Sequence, residues 1–288
     1  MLVGVRRAVS EHAPDLESLR HAQRSMSAAY ILARLDGAPV GCGMTSIFPG
    51  AEGEPYLGAD ASVLPARRRR GIGEALLREV SARGRELGKE GLQLEVKEDD
   101  EESMRFVERR GFAEIERQKE VILDLTALDG PPNVEPPEGV VVVPRAARPG
   151  LERAEYELDR EAGQDIPGLD GGLTQTFEEW RSFAIERPGA DPELCFLALA
   201  GDRLVGSASI VVIGGTPYHG LTAVERVWRG RGVAQALKRA QIAAAHARGF
   251  TRLVTESQHD NVPMRRLNEK LGYEPAPGSI VYRGPLLV

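Results

Sequence analysis

Apolar and polar positions in the second half of the chain fall into a succession of strand and helix periods. VVVV at 140–143 predicts a short strand, and Leu151, Ala154, Leu158 and Ala162 recur at helical spacing over 151–162. Thr176 followed by Glu179 is a capping box, opening a second helix through Trp180 and Phe183. Residues 195–199 and 204–213 are rich in β-formers and flank Gly201-Asp202, a hairpin signal. A further strand, roughly 219–225, runs into the turn Trp228-Arg-Gly-Arg-Gly232. A long helix over 233–248 stops at Gly249, an ordinary C-cap residue. Residues 252–257 read as a strand, 261–271 as a helix ending at Gly272, and Ser279-Ile-Val-Tyr-Arg-Gly284 as a closing strand. The order β-α-α-β-β-β-α-β-α-β predicts a mixed α/β domain.

That pattern occurs twice. SVLPARRRRGIGEALL at 62–77 resembles AVERVWRGRGVAQALK at 223–238, and Gly71 and Gly232 stand 161 positions apart. Phe112 and Tyr273, each following a glycine, are again 161 apart, so the copies run without a gap from Val63/Val224 to Phe112/Tyr273. Identical pairs in this register include Arg68/Arg229, Arg70/Arg231, Leu76/Leu237, Leu92/Leu253 and Glu95/Glu256. Earlier, Val5-Arg-Arg-Ala8 matches Val143-Pro-Arg-Ala146, and 31–41 matches 196–206. Between those landmarks the first copy has 24 positions and the second 51, an excess of about 27 running through GQDIPGLDGGLTQTFEEWRSF. The Pro- and Gly-rich stretch 129–139 reads as a semi-rigid linker. The expected domains are therefore 1–128 and 140–288.

Composition narrows the class. The 288 residues are 42% apolar and 28% charged, which excludes disorder. A net charge of −6 has the wrong sign for a nucleic-acid footprint. Two cysteines, Cys42 and Cys195, argue against a disulfide scaffold and fit a reducing, cytoplasmic setting. There is no run of eighteen apolar residues for a membrane span and no signal-peptide core at the start, and His12, His21, His246 and His259 lack metal-ligand spacing. Only five of the 37 basic residues are lysine, so the run Arg67 to Arg70 is by itself unsurprising.

A strand, a glycine-rich turn and a helix N-terminus form an anion site: first-turn N–H groups lack helical partners, and glycine lets the backbone approach a phosphate. The two turns, Arg68-Arg69-Arg70-Gly71-Ile72-Gly73 and Arg229-Gly230-Arg231-Gly232-Val233-Ala234, are neither a Walker loop nor the dinucleotide fingerprint. Their Arg-x-x-Gly-x-Gly/Ala pattern resembles the signature of the GNAT acyltransferase superfamily, as a tandem pair. The family's later pattern resembles Asn261-Val-Pro-Met264 through Gly272-Tyr273, with Asp100 at the first position of the other copy. The resemblance implies two GNAT folds, each a mixed, mostly antiparallel sheet flanked by helices. It also implies acetyl-CoA or another acyl-CoA as co-substrate, with no metal. The pyrophosphate would lie on the 68–73 or 229–234 amides. The pantetheine would lie near Val63, or near Thr222 and Val224, with Asn261 and Asn268 on its side. Asp100 lies within Glu98-Asp-Asp-Glu-Glu102, a poor neighbour for an anionic cofactor, so the C-terminal copy is the expected catalytic one.

Attack on a thioester needs a neutral amine and hence a base. The Leu-Glu-Val strand of one branch of the family matches Leu94-Glu95-Val96 and Thr255-Glu256-Ser257, making Glu256 the base candidate, with Tyr218 and His219 as runners-up. The family's Tyr acid, twelve residues on, is replaced by Val107 and Asn268. Three readings stay open: an acyltransferase active in the C-terminal copy, one active in both, or a non-catalytic acyl-CoA sensor. The acceptor is expected to be a small-molecule amine or a peptide N-terminus, and the protein a monomer or homodimer. The longer second copy places the acceptor pocket there, with Asp165 and Asp170 of the loop 163–175 as candidate contacts for a cationic acceptor.

Overall fold

The computed structural model describes residues 1–9, 14–166 and 172–288. The elements are α1 (Leu2–Val9), α2 (Leu16–Ser25), β1 (Ala29–Leu35), β2 (Ala38–Ser46), β3 (Tyr56–Val63), α3 (Ile72–Glu86), β4 (Gly91–Lys97), α4 (Glu101–Glu108) and β5 (Ala113–Asp124). They continue with β6 (Val140–Pro144), α5 (Glu152–Gly163), α6 (Phe177–Ala184), β7 (Phe196–Ala200), β8 (Arg203–Ile213), β9 (Thr216–Val224), α7 (Val233–Ala247), β10 (Arg252–Gln258), α8 (Val262–Lys270) and β11 (Glu274–Pro285). Local signals act as the sequence predicts. The Thr176 hydroxyl accepts from the Glu179 N–H while the Glu179 carboxylate accepts from the Thr176 N–H, so the capping box opens α6. Residues 5–8 depart from expectation: they lie in α1, whereas their match 143–146 ends β6 and enters a single helical turn. Four β-branched valines hold 140–143 extended, and the amphipathic 2–9 instead buries one side chain, Val5, from a helix.

The chain forms two compact units, 1–118 with 277–288, and 119–276. The expected contiguous domains, 1–128 and 140–288, differ from this division at two places: 119–128 falls in the second unit, and 277–288, most of the last strand, in the first. There the strand order is β1-β2-β3-β4-β11, and β11 pairs antiparallel with β4 from Ser279↔Lys97 to Pro285↔Gly91. Ile280 and Tyr282 are buried among Leu57, Leu77, Val80 and Leu92. In the second unit the order is β10-β9-β8-β7-β6, with the 119–124 half of β5 on the other side of β10. Its core has Leu194, Ile210, Ile242 and Leu253 at one end and Val205, Val224, Val233 and Leu237 at the other. Between α5, α6 and β8 lies a buried polar group. The Arg145 Nε donates to Glu155 at 3.1 Å, the Trp180 Nε1 donates to Asp159 at 2.9 Å, and the Ser207 hydroxyl donates to Asp159 at 3.3 Å. Burial, reinforced by the neighbouring Glu155 charge, pushes the Asp159 carboxyl up to about 7.

Candidate active site

In the first unit β3 and β4 are parallel and register only from Tyr56↔Gly91 to Ala59↔Leu94. Beyond that point β3 stays with β2, through Gly41↔Val63, and β4 stays with β11, through Ser279↔Lys97. The two strands therefore splay, and a cavity of about 1250 Å³ opens there, lined among others by Asp60, Val63, Arg68, Gly71, Glu95 and Phe106. Gly71 caps α3 at φ 77° with no side chain on the first-turn N–H groups. A Cβ at Gly71 would meet nothing within 4 Å, so the turn presents open backbone of the kind a phosphate needs. Arg69 sits at φ 61°, where the second copy has Gly230 at φ 73°. The Arg68 Nε donates to the Val63 carbonyl at 3.4 Å, tying the turn to the strand end.

Four of the five acids in the run 98–102 beside this turn are engaged. Asp100 caps α4, accepting from the Ser103 N–H at 3.0 Å and the Ser103 hydroxyl at 2.7 Å. Glu101 pairs with Arg105 at 2.8 Å, Glu102 with Arg68 at 3.4 Å and Arg69 at 3.6 Å, and Glu98 accepts from the Gly278 N–H at 2.9 Å. Arg68 and Arg69 of this turn are thereby matched in charge by Glu102.

The second unit repeats the device. β9 and β10 are parallel, in register at Tyr218↔Val254. Gly232 caps α7 at φ 93°, again with no side-chain cap and with open space at its Cβ position. The Arg229 Nε donates to the Val224 carbonyl at 2.9 Å, as Arg68 does in the first copy. The Arg231 guanidinium lies over the Trp228 ring, 5.2 Å from its centroid. Val224 and Val233 pack their side chains into the core, leaving only backbone for a cofactor, and Thr222 is half-buried on β9. Asn261 caps α8, its Oδ1 accepting from the Met264 N–H at 3.3 Å, the same task Asp100 has in the first copy. Arg70, Ile72, Gly73 and Ala234 belong to the turns and first helical residues, as expected.

The folded chain gives four candidate residues their surroundings. His219 is not a strand-surface residue. Its Nδ1 is 2.9 Å from the Gln241 Oε1 and its Nε2 is 2.5 Å from the Tyr273 hydroxyl. Burial, with the Lys238 charge adding to it, holds the imidazole well below its usual range, and burial pushes the Tyr273 phenol up. A neutral imidazole that donates from Nδ1 and accepts at Nε2 satisfies both contacts and keeps no lone pair for a substrate amine. Glu256 is exposed on β10, its side chain on the opposite face from buried Thr255 and Ser257. Tyr218 is half-buried, next to His219 on β9 and on the other face. Asn268 is 1% exposed with both amide atoms unpartnered.

Asp165 is already engaged, by Arg226 at 3.0 Å and Arg229 at 2.7 Å, and is no open receptor for a cationic acceptor. Asp170, with the rest of 167–171, and His12 lie outside the described residues. Lys238 and Gln241 escaped the sequence reading. Their signal was available in the repeat: apolar Leu77 and Val80 occupy the same places in the first copy. Among the described residues no group of three or more His, Cys, Asp or Glu side chains is placed to hold a metal ion, and no helix is long and apolar enough to cross a membrane.

Comparisons agree with this architecture. The acetyltransferase (GNAT) family pattern matches twice, over residues 6–112 and 156–273. The chain is 29% identical over 240 residues to a mycothiol acetyltransferase of Geodermatophilus obscurus, covering 78% of this chain and 73% of that one. It is 28% identical over 268 residues to the mycothiol acetyltransferase of Nocardia farcinica, covering 89% and 82%. Among solved structures, a tandem GNAT protein from the clavulanic acid biosynthesis pathway superposes with a TM-score of 0.77 at 22% identity, covering 100% of this chain and 93% of that one. A GCN5-related N-acetyltransferase from Sphaerobacter thermophilus gives 0.71 at 23% identity, covering 90% and 81%. Two copies of one strand-turn-helix site, each matched to the same family, make this chain a tandem member of the GNAT acetyltransferase family.

Proposed function

We propose that the protein is an acyl-CoA-dependent N-acyltransferase whose C-terminal unit transfers the acyl group to a primary amine, with Glu256 as general base. The observation that carries this reading is the position of Glu256. It stands on β10 beyond the Tyr218↔Val254 pair, exposed on the sheet face away from α7, one strand from the uncapped turn at Gly232. A bound acyl-CoA supplies an activated thioester carbonyl. The amides of 229–234 hold the anionic end, and Arg229 fixes the turn to the strand through the Val224 carbonyl. Glu256 takes the proton of the attacking amine as the N–C bond forms and the C–S bond breaks. Asn268 stands where a tyrosine acid would be and has no acidic proton, so the departing thiolate takes its proton from water.

A second reading, that the N-terminal unit also turns over, is favoured by the cavity itself, which holds both the 68–73 turn and Glu95. The acceptor is a small amine or a peptide N-terminus. The relatives named for mycothiol place amines of the mycothiol series first in a panel. Release of free CoA from acetyl-CoA with that panel, measured for wild type, Glu256→Gln and Glu95→Gln, tests both readings. Loss in Glu256→Gln alone supports the first, and loss in Glu95→Gln alone overturns it.

A further inference from the structure

The two copies share one register, and at six interior positions of that register the second copy has exchanged an apolar side chain for a polar one. Leu77 becomes Lys238, Val80 becomes Gln241, and Leu94 becomes Thr255. Val96 becomes Ser257, Val107 becomes Asn268, and Phe112 becomes Tyr273. All six first-copy residues belong to one hydrophobic cluster. Their counterparts are as deeply placed: Lys238 and Asn268 are 1% exposed and Gln241 is 0%. Six aligned exchanges in one cluster are not scattered surface drift.

His219 explains two of them, its ring nitrogens meeting the Gln241 Oε1 and the Tyr273 hydroxyl, and stability does not account for the others. The Gln241 Nε2 and both amide atoms of Asn268 have no hydrogen-bond partner among the described residues. A buried polar group left unpaired costs about 1–3 kcal/mol, so an apolar core like that of the first copy would be the more stable choice. Burial also draws the Lys238 ammonium down to about 7, a further cost.

The location supplies the function. In the first copy Leu77, Leu94, Val96 and Val107 line the cavity where β3 and β4 splay. By register Lys238, Thr255, Ser257 and Asn268 hold the matching positions of the second unit, where β9 and β10 pair at Tyr218↔Val254. The groups there include the Lys238 ammonium and the unpartnered amide N–H groups of Gln241 and Asn268, beside the Asn268 Oδ1 and the Thr255 and Ser257 hydroxyls. Glu256 points to the opposite face of β10, so no carboxylate of that strand competes for the donors. A site rich in donors and holding a lysine is made for a ligand rich in acceptors.

We propose that the C-terminal cleft selects an acyl-CoA whose acyl group ends in a carboxylate, read by Lys238, Gln241 and Asn268, whereas the aliphatic N-terminal cleft takes an unsubstituted short acyl group. This rests on the reading of the C-terminal unit as an acyl-CoA site and names its substrate class. The transfer chemistry is unchanged: the amine nitrogen bonds to the thioester carbonyl carbon, the C–S bond breaks, and the distal carboxylate stays on the product.

The test uses the full chain carrying Gly71→Glu, which blocks the first turn, and measures binding of succinyl-CoA, acetyl-CoA and free CoA by calorimetry. Succinyl-CoA is expected to bind about tenfold tighter than acetyl-CoA. Restoring the first copy's residues, Lys238→Leu with Gln241→Val, is expected to abolish that preference while leaving free CoA affinity within about twofold. Lys238→Met alone is the second variant, should the double exchange disturb folding, and is expected to give a partial loss. Equal affinities in the Gly71→Glu protein, or a preference that survives the exchanges, overturn the proposal, as does a cluster filled by ordered water in a succinyl-CoA-soaked crystal. If neither acyl-CoA nor free CoA binds the Gly71→Glu protein while wild type binds all three, the underlying reading of the C-terminal unit fails as well, which the free-CoA arm distinguishes from a wrong acyl class.

Discussion

The Asp165 carboxylate lies 2.7 Å from the Arg229 guanidinium, joining the residues that follow α5 to the turn that caps α7. The same carboxylate accepts from the Arg226 Nε at 3.1 Å, while Glu161 accepts from the Arg226 backbone N–H at 3.0 Å. Two guanidiniums, Arg226 before Arg229, hold the Asp165 carboxyl down at about 2, so it is charged throughout the physiological range. An anionic cofactor arriving at 229–234 meets an arginine whose charge is already matched.

Removing that carboxylate frees both arginines. Asp165→Ala is expected to tighten acetyl-CoA binding about two- to fivefold at low salt, the range of a solvent-exposed ion pair. The gain is expected to shrink as ionic strength rises, because exposed charges are screened. Titration at low and high salt measures it, and weaker binding by Asp165→Ala would show that the carboxylate orders the turn rather than competing for it.

Glu256→Gln is expected to lower turnover by about 10²–10⁴-fold, the usual loss on removing a general base, with acetyl-CoA affinity nearly unchanged. A loss below about threefold across the pH profile excludes Glu256 and turns attention to Tyr218. Because both ring nitrogens of His219 are occupied inside the unit, His219→Gln is expected to act first on thermal stability.

Gly232→Glu adds a like charge where the pyrophosphate would lie and a side chain at φ 93°, a conformation such residues rarely adopt. It is expected to weaken acyl-CoA binding at the C-terminal turn by at least about tenfold, with Gly71→Glu acting separately on the first cleft. Stoichiometry by calorimetry counts the surviving sites. Retained binding in Gly232→Glu together with complete loss in Gly71→Glu would reassign the cofactor to the first copy.

The buried Asp159 makes stability depend on pH. Its carboxyl titrates near 7 in the folded protein but near 3.8, the ordinary aspartate value, when unfolded, so between those values the native state holds a proton that the unfolded chain does not. Stability from this group is therefore full below about pH 4 and falls as pH rises toward 7. Asp159→Asn keeps an acceptor for the Trp180 Nε1 without the charge. It is expected to flatten the slope between about pH 4 and 7, raising the melting temperature at pH 8 by about 2–4 °C for each kcal/mol recovered. An unchanged slope in a thermal melt series would mean that Asp159 stays charged.

Ile280 is far along the chain, yet it is 1% exposed in the core of the first unit, on the strand that pairs with β4. Ile280→Ala is expected to cost about 2–4 kcal/mol there. A fragment ending at 128 would lack β11 and expose the edge of β4, and is expected to aggregate or melt well below the full chain. Circular dichroism of that fragment checks this, and a cooperative melt like that of the full chain would show that β11 is dispensable.

The sequence by itself determined the repeat, the order of elements in the second copy, the two uncapped turns and the capping box at Thr176. These are local: hydrophobic period, a glycine at positive φ and a side chain reaching three residues ahead all act within one or two turns of chain. The fate of the charged and polar side chains was decided only in three dimensions. The acids at 98–102 looked hostile to a cofactor until arginines, a helix cap and a backbone N–H took four of them. His219 and Asp165 looked open, and residues 22 to 64 positions away closed them. The assignment of 277–288 to the first unit likewise has no local mark. A strand carries the same alternation whichever edge it joins, and which edge is open depends on how the intervening chain has folded.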